Sequence, residues 1–133
     1  MKNRLMCLSI DALAVLIFAT IGRQSHERGL SILGILATAA PFLIALATVS
    51  LVLWILPGTR SRDVHELFPS GVAIWLVTFA GGLALRVAFG GTAALAFQIV
   101  AAVSLAILLI GWRLAWALRQ RRRKLREAPA TNG

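Results

Sequence analysis

At 133 residues the chain has room for one domain; it is 59% hydrophobic and 14% charged, with a mean hydropathy of +0.82 and a formal net charge of +9. Soluble domains are about 45–50% apolar and about 25% charged, so this chain has too few polar residues to cover a water-facing surface. The composition excludes a soluble globule, and the single cysteine, Cys7, excludes an internal disulfide.

Four apolar stretches, 5–21, 30–56, 67–85 and 93–112, have the length of membrane-spanning helices, roughly 17–25 residues. None alternates apolar and polar residues as a transmembrane β-strand does. The expected fold is all-α, a four-helix transmembrane bundle running up-down-up-down. Lys2 and Arg4 before the first helix suit a signal sequence. Asp11 interrupts the apolar run, however, and Ala19-Thr20-Ile21-Gly22 is a poor cleavage site. A retained first helix over about 5–21 is therefore expected.

Helix 2, about 30–56, contains Pro41, which removes a backbone donor and predicts a kink near 37–41. Gly34, Thr38 and Pro41 recur at intervals of four and three, placing small residues on one face for a close helix contact. Pro57-Gly58 ends this helix, and 59–66 forms a short polar loop. Pro69-Ser70-Gly71 opens helix 3, about 67–85, whose far end Gly81-Gly82 should loosen. Gly90-Gly91 reads as a tight turn before helix 4, about 93–116. The membrane domain is thus 1–118. A basic cytoplasmic tail, 119–133, should continue the helix for a turn or two before a disordered end at 128–133.

Eleven of the fourteen Lys and Arg residues fall on the side of the termini and three on the other. The positive-inside rule then predicts a multi-pass protein of the cell membrane with both termini cytoplasmic. Much of that bias comes from seven cations between Arg113 and Arg126. Near anionic headgroups each contributes about 1 kcal/mol, so membrane lipid is the expected partner of the tail. Without a folded platform beside it, nucleic acid is not expected. The small-residue face makes a homo-oligomer a second expectation. Trp54, Trp112 and Trp116 fall near cytoplasmic helix ends, where indoles favour the interface.

Asp11 is the one formal charge inside an apolar stretch, six residues or roughly 9 Å from its start. Such a charge costs a few kcal/mol on insertion. Antiparallel packing would bring Thr48 and Ser50 of helix 2 and Ser104 of helix 4 to similar depth, with Arg113 able to reach inward. Two readings stand: a proton or cation site, or a buried hydrogen-bond anchor between helices. At the other face, Arg23, Ser25 and His26 follow helix 1 and Arg86 ends helix 3. Guanidiniums with a serine and a histidine could hold an anion or lipid headgroup. Alternatively the arginines snorkel to the interface, with Glu27 as a local partner.

His26 and His65 fall on opposite sides of the membrane in this topology, which excludes a metal site using both within one chain. Asp63, His65 and Glu66 read as a solvated loop. There is no nucleophile–base pair, phosphate-binding loop, or zinc or haem spacing. Neither an enzyme activity nor a cofactor or metal is expected.

Asp11, Gly22-Arg23-x-Ser25-His26, Thr38-Ala39-x-Pro41-Phe42, Gly71-x-x-x-Trp75, Gly82-x-x-x-Arg86, Phe97 and Gly111-Trp112-Arg113 form a pattern over about 8–115. It resembles an uncharacterised family of short four-span prokaryotic membrane proteins, filed as a domain of unknown function. That family often carries tryptophan before the proline, where this chain has Ala40. The resemblance implies a four-span membrane fold and no activity. Three roles follow for testing. The first is a small integral membrane protein with a binding, accessory or structural role. The second is a small transporter or channel subunit using Asp11. The weakest is a lipid-directed enzyme using Ser25 and His26.

Overall fold

The computed structural model describes residues 2–25, 31–56 and 70–129. Among them there is no strand, and four helices make up the fold: α1 (Lys2–Ser25), α2 (Ile32–Ile55), α3 (Val72–Ala88) and α4 (Leu95–Glu127). Helices α1, α2 and α4 are long and apolar enough to cross a membrane, whereas α3 is apolar but has 17 residues. His26 and the 57–69 segment, with Asp63, His65 and Glu66, lie outside the described residues.

Local chemistry accounts for the helix ends. Ser31 caps α2, its Oγ accepting the Gly34 N–H at 3.1 Å, so that one of the first orphan amides is satisfied. Pro41 sits buried inside α2, which continues on both sides of it. The far end of α3 does not loosen at Gly81-Gly82; the helix runs on to Ala88. Packing is the reason: a Cβ on Gly82 would collide with the Phe42 ring, so the glycine lets that ring press onto the α3 backbone. A turn follows, with the Gly91 N–H donating to the Arg86 carbonyl at 2.9 Å.

Helix α4 has 33 residues, about 50 Å at the usual rise, against roughly 30 Å of hydrocarbon. The expected turn or two of basic extension is a regular helix through Glu127, and its residues from Leu114 onward are exposed. Lys124 and Arg126 in the last turn oppose the negative end of the helix dipole. Residues 130–133 lie outside the described residues.

Helix α2 packs against α1 and α3, and α4 packs against α1 and α3. The shared core is apolar and centred on three rings. Phe18 meets Phe42 edge-on at 5.2 Å, and Phe97 lies 6.3 Å from each, an aromatic arrangement favoured by ring quadrupoles. The Trp75 indole N–H ties α3 to α4 through the Ala102 carbonyl at 3.0 Å. Ile32, Leu33 and Leu95 each expose more than two-thirds of their surface. In water an exposed leucine forgoes about 1.5–3 kcal/mol of burial; in lipid it does not.

Candidate functional site

Asp11 is 1% exposed, and its partner is Arg113 on α4. The guanidinium Nη2 donates to Oδ2 at 2.7 Å and Nη1 donates to Oδ1 at 2.8 Å, a bidentate fork. The Trp112 indole N–H donates to the same Oδ1 at 2.8 Å. Arg113 is fully buried; its Nη1 also donates to the Leu109 carbonyl at 2.8 Å, and its guanidinium lies 4.4 Å from the Trp112 ring centre. Charge, fork geometry and hydrogen bonding are thus matched inside the bundle. Such a pair offsets its desolvation only when geometry is good and the remaining lone pairs are used.

The phase of α4 aims Arg113 inward. Ala101, Leu105, Leu109 and Arg113 are all buried, at steps of four residues. In a regular α-helix each such step drifts by about 40° around the axis. Residues Ala106–Ile110 form a π segment, whose i→i+5 bonds fit more residues into a turn and take out part of that drift. The helix thereby keeps both Leu109 and Arg113 buried, with Arg113 on Asp11 of α1.

The other residues expected near Asp11 divide. Ser50 lines a cavity of about 280 Å³ between α1 and α2 that also reaches Asp11, with Arg4, Leu8 and Trp54 on its walls. Thr48 does not reach Asp11: it is exposed, and its hydroxyl donates to the Ile44 carbonyl of its own helix at 2.8 Å. Ser104 is half-buried on α4 and is not bonded to Asp11. Neither hydroxyl is bonded to the carboxylate. Trp112, read from the sequence as lying near a cytoplasmic helix end, also donates its indole N–H to the buried carboxylate. Its adjacency to Arg113 was the available signal. Arg113 also leaves the set of basic tail residues, since its charge is spent on Asp11; six cations remain from Arg119 to Arg126.

A second polar cluster gathers Arg23 and Arg86 at the opposite end of the bundle. Asp11 and Arg23 are twelve residues apart on α1, about 18 Å along its axis. Arg23 lies across α2 at Gly34, where any Cβ would collide with its guanidinium, and its Nη1 makes a long 3.5 Å bond to the Thr38 hydroxyl. Thr38 in turn donates to the Gly34 carbonyl at 3.0 Å. The small-residue face of α2 therefore receives an arginine of the same chain. Arg86 donates through Nε to the Thr92 carbonyl at 2.9 Å, and its guanidinium sits 4.4 Å from the Phe97 ring centre. Arg23, Thr38, Arg86, Thr92 and Phe97 line one cavity of about 180 Å³. Ser25 is the last residue of α1, and His26 lies outside the described residues.

No group of three or more His, Cys, Asp or Glu side chains among the described residues could hold a metal ion. Cys7 is buried.

No curated protein and no solved structure matches the chain. A family model described as a protein of unknown function, DUF3054, matches residues 8–116. That span contains Asp11 and its two partners, both arginines of the second cluster and all three core phenylalanines, so the arrangement described above falls within the family's domain. The chain is a transmembrane helical protein and belongs to the DUF3054 family.

Proposed function

We propose that this is a small multi-pass protein of the cell membrane with a binding, accessory or structural role, in which Asp11, Arg113 and Trp112 form a structural lock between α1 and α4. The observation that carries this reading is the fully buried, bidentate Asp11–Arg113 pair. A carboxylate that must load and release a cation needs donors that give way. Here both oxygens are engaged, and the indole adds a third bond. Removing one partner of such a pair costs about 3–5 kcal/mol, which is the signature of an anchor.

An alternation of helix direction is supported by contact order: 11 and 18 on α1 meet 113 and 97 on α4, so one sequence rises as the other falls. Cytoplasmic termini are supported by the cation bias, which keeps its sign after Arg113 is withdrawn. In that orientation the six exposed cations from Arg119 to Arg126 lie on anionic headgroups. Self-association, if it occurs, uses the exposed apolar faces and not Gly34 and Thr38, which contact Arg23.

The test is reconstitution of the wild type and Asp11→Asn into vesicles, with ion and proton flux and thermal stability measured on both. The lock predicts no gradient-driven flux above empty vesicles and a less stable variant. Flux in the wild type that Asp11→Asn abolishes at unchanged stability overturns the lock and establishes the transport reading. That second reading has one observation in its favour: the cavity between α1 and α2 that borders Asp11. A reporter fused after Gly133 tests orientation, and activity outside the cytoplasm would sink it.

A further inference from the structure

All four helical segments meet at the second cluster. Gly22 and Arg23 come from α1, Thr38 from α2, Arg86 from α3, and Ala96 and Phe97 from α4. Each guanidinium is held by structure behind it. Phe97 lies under Arg86, and the Thr92 carbonyl takes its Nε–H, which sets the plane of the fork. Glycine at 34 lets Arg23 lie flat on α2, beside the Thr38 hydroxyl. Two cationic forks thus border a single cavity of about 180 Å³.

Size and chemistry narrow the occupant. Sites that enclose drug-sized ligands run to about 300–1,000 Å³, so this cavity encloses only a smaller group. Its volume is that of roughly six waters, enough for one tetrahedral group and part of its hydration. Planar guanidinium forks match the paired oxygens of a phosphate, and threonine hydroxyls complete such a shell. The cavity also lies where the apolar run of α1 gives way at Gly22 and Arg23, which is headgroup depth for a spanning helix.

We propose that the cavity between Arg23 and Arg86 binds a phosphate group, carried on a phospholipid headgroup or as a free oxyanion. The site is independent of the role given to Asp11, about 18 Å away along α1. Headgroup binding by the basic tail is a separate event, and the test weakens it.

The test uses the full-length protein in detergent, carrying Arg121→Gln, Arg122→Gln and Arg123→Gln so that the tail is weakened as a competing site. It is titrated with inorganic phosphate in one arm and short-chain phosphatidylglycerol in the other, and the melting temperature is followed. A saturable rise is expected in at least one arm. A response to the lipid alone identifies a headgroup site; a response to inorganic phosphate, alone or with the lipid, identifies a site for the oxyanion itself. Adding Arg23→Gln or Arg86→Gln should each weaken the response at least about tenfold, the loss expected for a charge-assisted bond. No saturable response in either arm overturns the proposal, and so does a response either variant leaves unchanged. If a glutamine variant does not fold, Arg23→Lys and Arg86→Lys retain the charge without the fork. Unchanged binding in either of these overturns the proposal as well.

Discussion

Arg113 and Arg86 both lie near the ends of apolar runs, yet the bundle uses them in opposite ways. Arg113 is fully buried, with its fork closed on the two oxygens of Asp11. Arg86 is half-buried, rests on an aromatic face and borders a cavity. The difference lies in what the opposite helix supplies at each depth. Opposite Arg113, α1 carries a carboxylate. Near Arg86, α1 carries another cation, Arg23, and α4 carries a ring. One end is closed by an ion pair inside the protein, and the other sets two guanidiniums around open volume.

That contrast predicts unequal costs. Arg113→Gln leaves Asp11 buried without its counter-charge and should lower unfolding stability by about 3–5 kcal/mol, measured by denaturation of the purified protein in detergent. The paired replacement Asp11→Leu with Arg113→Met should recover most of that loss, because both charges leave together. If the double variant is as unstable as the single one, the lock is not an isolated pair. Trp112→Phe keeps the ring and removes one N–H bond to the carboxylate; a loss of about 1.5–3 kcal/mol is expected by the same measurement. Arg86→Gln should cost less, about 1–2 kcal/mol, through the lost contact with Phe97 and the lost bond to the Thr92 carbonyl, and equality with Arg113→Gln would erase the distinction between the ends. The smallest effect belongs to Thr48→Val, within about 0.5 kcal/mol, since that exposed hydroxyl bonds only within its own helix. A larger loss there would return Thr48 to the neighbourhood of Asp11.

How far residue order reached differs between the two ends. Arg23 and Arg86 were legible as a pair because each closes an apolar run, so their depth follows from counting along the helices. The support beneath them was not legible. Gly34 reads equally well as a helix–helix contact, and only the folded chain puts Arg23 on it. At the other end, depth alone nominated Arg113, Thr48, Ser50 and Ser104 together for Asp11. Arg113 is the partner, Ser50 lines the cavity that reaches Asp11, and neither Thr48 nor Ser104 bonds to the carboxylate.

Composition by itself established the membrane class, the helical fold, and Asp11 as a charge that needs an answer in lipid. Apolar length and the cost of unpaired polar groups in hydrocarbon are sufficient for that. Only the tertiary structure decided which answer Asp11 receives. The apolar stretches here are hydrophobic all round and carry no stripe to reveal which face turns inward. Rotation about the helix axis is then set by packing: Phe42 against Gly82 on one side of the core, and the π segment of α4 that keeps Leu109 and Arg113 on the buried side.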